Sequence, residues 1–299
     1  MYQLVIFESR ATLDMKFFRL IEQDGIFSYC LKEEKVFRLK APLIELLKKS
    51  DVCDTDIESQ EMDFGYDEIM RSYGLPGNFA KPFDPPEVWG AGITYHASRD
   101  RYSMDGVATI FGKSIYEIVY DAERPELFFK ATPDRCVGHN QSIRIKSSSS
   151  WTLPEPELGV VLSSHGKVLA YTIVDDVSAR DIEAMNPLYL PESKIYSGCC
   201  AFGPFLVTPD EVPDPYSLEI SMKIIRSGDI YFEGRTNTSG MKTRIDKQIH
   251  YLLEDNIIPD GTLLSTGTSI VPGRSQGLVV GDLVEISITG MGVLKTTVL

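Results

Sequence analysis

Four acidic residues stand at the two ends of one largely apolar stretch, "PEPELGVVLSSHGKVLAYTIVDD" (154–176). They are Glu155, Glu157, Asp175 and Asp176. Carboxylates that are brought close together repel one another, and a protein relieves this by protonating one of them or by binding a cation. Mg²⁺ accepts oxygen ligands from rigid strands and keeps its other positions for water or substrate. These acids could therefore hold a metal ion, provided that the fold brings them together.

The stretch between the acids is typical of a β-hairpin. The runs "ELGVVL" and "KVLAYTIV" are strand-like, and residues 164–167 join them. We predict a two-residue turn on His165 and Gly166, because glycine accepts the positive φ that such a turn requires.

The turn fixes which residues of the two strands face each other. In this register, Glu155 lies opposite Asp176 and Glu157 lies opposite Val174. Because side chains alternate along a strand, Glu155, Glu157 and Asp176 then share one face. A slip of one residue would bring Asp175 there instead. The alternative interpretation is an exposed sheet edge whose acids only aid solubility.

The overall charge excludes some partners. The chain of 299 residues has a net charge of −13, with 43% hydrophobic and 24% charged residues. This composition is typical of globular proteins. Its acidity argues against binding to nucleic acid and to an anionic membrane surface.

The cysteines and the first residues bear on location. The five cysteines are odd in number and none has Cys-x-x-Cys spacing; they are Cys30, Cys53, Cys136, Cys199 and Cys200. This pattern favours a reduced protein, which we expect in the cytoplasm. The opening run "MYQLVIFESR" is too short in apolar residues for a signal peptide.

The pattern of strands and helices predicts an α+β fold that is mainly β. Prolines 82, 85 and 86 form a connector. We place a small N-terminal α/β domain at 1–85 and a large β domain at 86–299. The second contains many short strand-like runs and two helical ones, "DVSARDIEAM" and "TRIDKQIHYLLEDN".

Several motifs in collinear order resemble the fumarylacetoacetate hydrolase family over roughly residues 85–299. They are "GAGITY" (90–95), "LFFKATP" (127–133), Glu155-Pro-Glu157 with its hairpin, "DDVSARD" (175–181), "SKIYSGCCAFGPFLVTPDE" (193–211) and "GTLLSTGTSIVPG" (261–273). The resemblance implies a large mixed β-roll domain. It also implies that Glu155, Glu157 and Asp176 bind Mg²⁺, with Mn²⁺ as a possible substitute.

Within that family, the chain is more similar to the branch that dehydrates 2-keto-3-deoxy sugar acids. This resemblance implies a hydro-lyase of pentose catabolism that removes water from 2-keto-3-deoxy-D-arabinonate to give 2,5-dioxopentanoate. Glu126 and Lys194 match the proton carriers of that reaction. A nearby cation disfavours an ammonium group, so Lys194 could serve as the base while Glu126 protonates the leaving hydroxyl. The two roles could also be exchanged.

The resemblance implies further contacts around the site. Lys130 would support a metal ligand, and Thr268, Arg99 and Tyr102 would contact the substrate. From residue type alone, Lys130 is more typical of a surface or structural lysine, and Arg99 is more typical of a solvated helix start. The family also implies a homo-oligomer, either a dimer or a tetramer.

One departure separates the chain from the family's hydrolases. Their pattern has a water-activating histidine three residues after the tyrosine of the opening strand. Here Tyr95 is followed three residues later by Ser98, and His96 directly follows Tyr95. Hydrolysis of an acylpyruvate or related diketo acid is therefore the second hypothesis, beside dehydration of another 2-keto-3-deoxy acid. A non-catalytic binding protein is the third.

Overall fold

The computed structural model describes residues 15–33, 35–49, 56–62, 79–98, 109–110 and 112–299. In chain order its strands are β1 (Met15–Glu22), β2 (Gly25–Lys32), β3 (Lys35–Leu39), β4 (Ile57–Glu61), β5 (Val88–Gly92), β6 (Thr109–Ile110), β7 (Lys113–Ser114), β8 (Glu126–Ala131), β9 (Cys136–Val137), β10 (Ser142–Ile143), β11 (Thr152–Leu153), β12 (Pro156–Leu162), β13 (Val168–Asp176), β14 (Ser178–Ala179), β15 (Cys200–Phe202), β16 (Leu206–Val207), β17 (Glu219–Arg226), β18 (Asp229–Asn237), β19 (Thr262–Ser265), β20 (Leu283–Ile288) and β21 (Gly292–Val298).

The described helices are short. They are α1 (Leu43–Leu47), α2 (Ile115–Asp121), α3 (Arg180–Met185), α4 (Leu190–Lys194) and α5 (Ile245–Leu253). Single 3₁₀ turns occupy Pro133–Arg135, Pro187–Tyr189, Pro209–Glu211, Thr238–Gly240 and Arg274–Gln276. No helix in these parts of the chain has the length and apolar character needed to span a membrane.

Two sheets dominate the described structure. The larger has the path β4-β3-β2-β1-β16-β13-β12-β19-β5-β8, with β15 and β9 attached beside β13. The smaller has the order β10-β21-β20-β17-β18. Most pairs are antiparallel, while β5–β19, β9–β15 and β10–β21 are parallel. This confirms the predicted fold class of mixed, mainly antiparallel β-structure with a few helices.

The hairpin β12–β13 lies in the middle of the larger sheet, buried on both faces. One face packs against the smaller sheet, where Leu158 and Ile173 meet Met222 and Ile286. On the other face, Val161 and Val174 belong to a second apolar cluster, which contains α1. A strand that is buried on both faces has a nearly continuous apolar sequence. This explains why "GVVL" and "VLAYTIV" hardly alternate.

The predicted register is confirmed, but the predicted turn is wrong. Paired residues include Pro156 with Asp175 and Glu157 with Val174, as expected. The Ser163 N–H donates to the Lys167 carbonyl, so the loop contains three residues and not two. A bulge between Val161 and Leu162 absorbs the extra residue. Three-residue hairpin loops commonly carry such a bulge, and so the rest of the pairing is unchanged.

The N-terminal strands extend the larger sheet. Strand β1 pairs with β16 through Lys16 and Val207. Phe17 packs in the same apolar cluster as Val174 of β13. The division at residue 85 into two domains remains a prediction.

The described helices agree only in part with the predicted helical runs. The predicted run at 243–256 forms α5, whose buried side includes Ile245 and Leu252, and the end of the run at 176–185 forms α3. Within residues 97–124, the described residues include the small hairpin β6–β7 and the helix α2. The helix α2 begins at Ser114, whose hydroxyl accepts from the Glu117 N–H in a reciprocal capping box.

Candidate active site

Three carboxylates meet at the open end of the hairpin. Glu155, Glu157 and Asp176 are each buried, and one ligand oxygen from each lies within 4.8 Å of the others. The Asp176 N–H donates to the Glu155 carbonyl, which extends the ladder beyond the last paired residues. Because register and alternation place all three on one face, the predicted convergence of these side chains is confirmed by the geometry.

Asp175 lies on the opposite face and has a different task. Its Oδ1 accepts the backbone N–H of Glu155 at 2.9 Å. Burial is the largest cause that raises the pKa of Asp175, to about 7. The Asp175 side chain therefore fixes the backbone at the start of β12 and does not belong to the cluster of three carboxylates.

Two lysines compensate the buried negative charge. Lys130 is completely buried and its Nζ lies 2.6 Å from Asp176 Oδ1. The same ammonium donates to the carbonyls of Val177 and Lys194, each at 2.8 Å. Burial alone would lower the pKa of Lys130, but the charge of Asp176 raises it above its ordinary value. Lys130 thus contacts Asp176, one of the predicted metal ligands, and is buried, whereas residue type alone favoured an exposed position.

Lys194, the last residue of α4, contacts the cluster from the other side. Its Nζ donates to Glu155 Oε2 at 2.7 Å, to Asp176 Oδ2 at 2.8 Å and to the Ser178 hydroxyl at 2.6 Å. The Ser178 hydroxyl in turn donates to Glu155 Oε2. Burial raises the pKa of Asp176, but Lys130 and Lys194 outweigh it, so the pKa lies below its ordinary value.

Glu157 is held by neutral groups. Its Oε2 accepts from the Ser265 hydroxyl and from the Gly267 N–H, which lies 2.7 Å away. Burial and then the charge of Asp176 raise the pKa of Glu157 well above its ordinary value. In the absence of a cation, the cluster therefore has more negative charge than its surroundings favour. A bound divalent ion would remove this excess.

Glu126 belongs to the same cleft. Alternation along β8 points Glu126, Phe128 and Lys130 the same way. The Glu126 carboxylate lies over Gly92, where an added Cβ would fall 1.9 Å from Oε2, so the close approach requires glycine. Burial and then the charge of Glu183 raise the pKa of Glu126 to about 7. A carboxyl group with this pKa can both donate and accept protons near neutral pH.

The lining of the cleft includes all three acids, Glu126 and Lys194. Thr268 also lines it, with its hydroxyl bonded to the backbone of Ile270, and its contact with the substrate stays a prediction. Arg99 and Tyr102, the other predicted substrate contacts, lie outside the described residues.

The position of the hydrolase histidine is occupied by a buried serine. The Ser98 hydroxyl donates to the Tyr95 carbonyl at 2.9 Å, and Ser98 lines the cleft. His96 is exposed and stacks edge-on against Tyr120. The predicted departure from the hydrolase pattern is therefore visible in the cleft itself.

Three residues in or next to the cleft were not identified from the sequence. Ser178 and Arg180 belong to the motif "DDVSARD", and Glu183, which lines the cleft, follows the motif by two residues. The motif was recognised, but only its aspartate was assigned a role. The spacing of Arg180 and Glu183, three residues apart on α3, could have indicated that they pair.

The donor set fits a hard divalent cation. It consists of three carboxylates, with neither nitrogen nor sulfur. Oxygen-only sites suit Mg²⁺ and Mn²⁺, whereas thiolate and imidazole sites suit zinc and copper. The raised pKa of Glu157 indicates that ionising this carboxyl group costs free energy when no ion is bound.

The fold and the site agree with a family match. Residues 89–299 match the model of the fumarylacetoacetate (FAA) hydrolase C-terminal domain, and the chain belongs to this family.

Two individual relatives within the family are similar to the chain over most of its length. The chain is 53% identical, over 95% of its own length and 96% of the relative's, to a 2-dehydro-3-deoxy-D-arabinonate dehydratase of Saccharolobus solfataricus. It is 44% identical, over 85% of its length and 86% of the relative's, to a probable 2-keto-3-deoxyxylonate dehydratase of Haloferax volcanii.

A solved structure of a 2-keto-3-deoxy-D-arabinonate dehydratase in complex with magnesium and 2,5-dioxopentanoate is also similar. It has a TM-score of 0.86 and 51% sequence identity, and the match covers 95% of this chain and 98% of that one.

Proposed function

We propose that the chain is a Mg²⁺-dependent hydro-lyase that converts 2-keto-3-deoxy-D-arabinonate to 2,5-dioxopentanoate and water, as a step of pentose breakdown. The observation that carries the proposal is the meeting of Glu155, Glu157 and Asp176 within 4.8 Å in a cleft that also contains Glu126 and Lys194. The 53% identity to a dehydratase over nearly the whole chain supports the same reaction.

Glu155, Glu157 and Asp176 would hold the ion. When bound, Mg²⁺ supplies Lewis-acid polarisation of the substrate's keto oxygen, which makes the protons on C3 easier to remove. Mn²⁺ could substitute because it accepts the same ligands. Lys130 keeps Asp176 ionised and correctly oriented, since its ammonium is fixed by two backbone carbonyls.

Two residues carry the protons. Lys194, beside Glu155 and Asp176, would take a proton from C3 in its neutral amine form, which a bound cation favours over the ammonium. Glu126, whose pKa is about 7, gives a proton to the C4 hydroxyl as it leaves as water. The resulting enone isomerises so that C5 becomes the aldehyde carbon of 2,5-dioxopentanoate. The reverse assignment of base and acid uses the same two groups.

Product analysis tests the reaction. The chain is incubated with 2-keto-3-deoxy-D-arabinonate, with Mg²⁺ or with EDTA, and the products are separated and identified. We expect 2,5-dioxopentanoate only in the presence of the ion. Pyruvate and glycolaldehyde would indicate carbon–carbon cleavage and contradict the proposal, as would turnover that EDTA leaves unchanged. A panel of related pentonates and hexonates then defines the accepted stereochemistry and length.

Two substitutions test the proton carriers. Lys194→Ala and Glu126→Gln should remove most turnover while leaving Mg²⁺ binding intact. Glu192→Gln is the control, because Glu192 is exposed on α4 and changes the charge without touching the cleft. A variant that keeps a near wild-type kcat would exclude its residue from the mechanism.

We also infer a cytoplasmic location and a homo-oligomeric state. The four described cysteines are buried as free thiols, which suits a reducing compartment. Ile230 and Tyr231 are exposed on β18, an edge strand, where a second copy could cover them. The native mass measured by light scattering distinguishes monomer, dimer and tetramer, and a monomer would refute the oligomer.

A further inference from the structure

One carboxylate that lines the cleft, that of Glu183, has no part in the mechanism above. Glu183, on α3, lines the same cleft as Glu126, and its side chain is only 11% exposed. Carboxylates are rarely buried to this extent unless they are paired with another group. Its surroundings indicate what it could recognise.

One oxygen of Glu183 is fixed from behind. Its Oε1 lies 2.9 Å from Nη1 of Arg180, which is completely buried. The same Nη1 donates to the Tyr116 hydroxyl at 2.8 Å, and the guanidinium lies 5.0 Å from the centre of the Tyr116 ring. Tyr116 thus holds Arg180, and Arg180 holds Glu183, so the carboxylate has a defined orientation before any ligand enters.

The other oxygen of Glu183 is available to a ligand. Its Oε2 is buried and has no hydrogen-bond partner among the residues described by the structure. A buried acceptor that lacks a donor costs free energy, and a hydroxyl group entering the cleft would supply the donor. A carboxylate oxygen accepts such a bond more strongly than a neutral group does.

The position of Glu183 within the cleft indicates which hydroxyl would reach it. The charge of Glu183 raises the pKa of Glu126 more than the charge of Glu155 does. Glu183 is thus a close neighbour of the group that protonates the C4 hydroxyl. A keto acid whose first two carbons face the metal-binding acids would direct C4 to Glu126 and the next hydroxyl, on C5, to Glu183.

We propose that Glu183 is a specificity-determining residue whose Oε2 accepts a hydrogen bond from the C5 hydroxyl of the substrate. Arg180 and Tyr116 are its positioning residues. The inference rests on the proposed function, since it assumes a 2-keto-3-deoxy pentonate. It assigns to this site a preference for a terminal hydroxyl that the metal and the proton carriers alone do not give.

Two substrates that differ only at C5 test this role. We compare kcat/KM for 2-keto-3-deoxy-D-arabinonate and for 4-hydroxy-2-oxopentanoate of the same C4 configuration, which lacks the C5 hydroxyl. The wild type should prefer the first by about 10- to 100-fold, as expected for a hydrogen bond to a charged group. In Glu183→Gln the amide oxygen remains on Arg180, and the preference should fall to about threefold or less.

Controls separate recognition from a general loss of structure. Inhibition by 2-oxopentanoate, which has no hydroxyl, should be the same in Glu183→Gln and the wild type. Glu192→Gln, with the same charge change at an exposed position, should keep the full preference. Tyr116→Phe should reduce the preference partway, because Arg180 loses the hydroxyl that it donates to.

The failures of the two proposals are distinguishable. No turnover of either substrate by the wild type would overturn the proposed function, and this inference with it. Turnover with an unchanged preference in Glu183→Gln would overturn the inference alone. If Glu183→Gln does not fold, as judged by circular dichroism, Tyr116→Phe decides, and an unchanged preference in that variant overturns the inference.

Discussion

The two ends of the β12–β13 hairpin contrast sharply, although the same strands connect them. At the open end, Asp176 and its acidic neighbours are buried and meet two lysine ammonium groups at 2.6–2.8 Å. At the loop end, His165 and Lys167 are exposed. There the loop is held by Asp260, which accepts the Ser164 N–H at 2.7 Å, and by contacts to α5.

The contrast shows that the arrangement with a high cost in free energy, the burial of several charges, lies at the open end of the hairpin. Desolvating several charges costs several kcal/mol for each ion, which close pairing only partly offsets. The loop end achieves its geometry with a bulge, a glycine and exposed polar bonds, at little cost. The buried charges are therefore concentrated at the open end of the hairpin, where the strands align them.

The largest expected effect comes from the open end. Lys130→Ala should lower the free energy of unfolding by about 3–5 kcal/mol, because Asp176 loses a buried partner and two carbonyls lose their donor. Lys167→Ala, at the exposed loop end, should change it by less than about 0.5 kcal/mol. Urea denaturation of both variants measures the difference. Equal effects would remove the contrast between the two ends.

The pH dependence of turnover identifies the role of Glu126. The pKa of Glu126 is raised to about 7, so the proton-donating form prevails below that pH and is lost above it. If Glu126 is the acid, kcat falls as the pH rises through about 7. Glu126→Gln should lower kcat about 100-fold or more and abolish this limb. A limb that falls below pH 7 would instead assign the base to Glu126.

A smaller effect is expected at the loop. Gly166 has φ of +77°, and an added Cβ would lie 2.5 Å from Leu253 of α5. Gly166→Ala should therefore cost about 1–3 kcal/mol of stability. Because the loop is remote from the cleft, kcat and KM should stay at wild-type values. A loss of turnover in folded Gly166→Ala protein would show that the loop end also controls the site.

The smallest effect concerns the ion pair beside the loop. The hydrogen bond from Lys48, followed by that from the Ser164 N–H, lowers the pKa of Asp260 to about 2. A depressed carboxyl pKa contributes stability above the unfolded value near 4, and this contribution is lost as the pH falls towards 2. The pair is largely exposed, so the effect is small. Unfolding measured from pH 2 to 7 should show less acid sensitivity in Asp260→Asn; an identical curve would contradict this.

The sequence was most informative where local rules decide the structure. Strand alternation and the position of the turn predicted that Glu155 and Asp176 face each other, and this is confirmed. The loop length was wrong, yet the register survived because a bulge between Val161 and Leu162 compensated for it. The residues of the loop indicate neither the length of the loop nor the presence of the bulge.

The partners of the acids were harder to predict from the sequence. In the sequence Lys130 resembles any exposed lysine, and only the structure shows that it is buried against Asp176. Glu183 acquires its position from Arg180 and Tyr116, which is 64 residues away from Arg180 along the chain. Such contacts between distant segments depend on tertiary packing, which composition and periodicity do not encode.

The most direct test of the central claim is Mg²⁺ binding to Glu157→Gln. Burial raises the pKa of Glu157, so neutralising this residue should not weaken the fold without the ion. Titration calorimetry should find one Mg²⁺ site in the wild type and none in the folded variant, with turnover reduced about 1000-fold. Unchanged Mg²⁺ affinity in the variant would contradict the claim that these three carboxylates bind the catalytic ion.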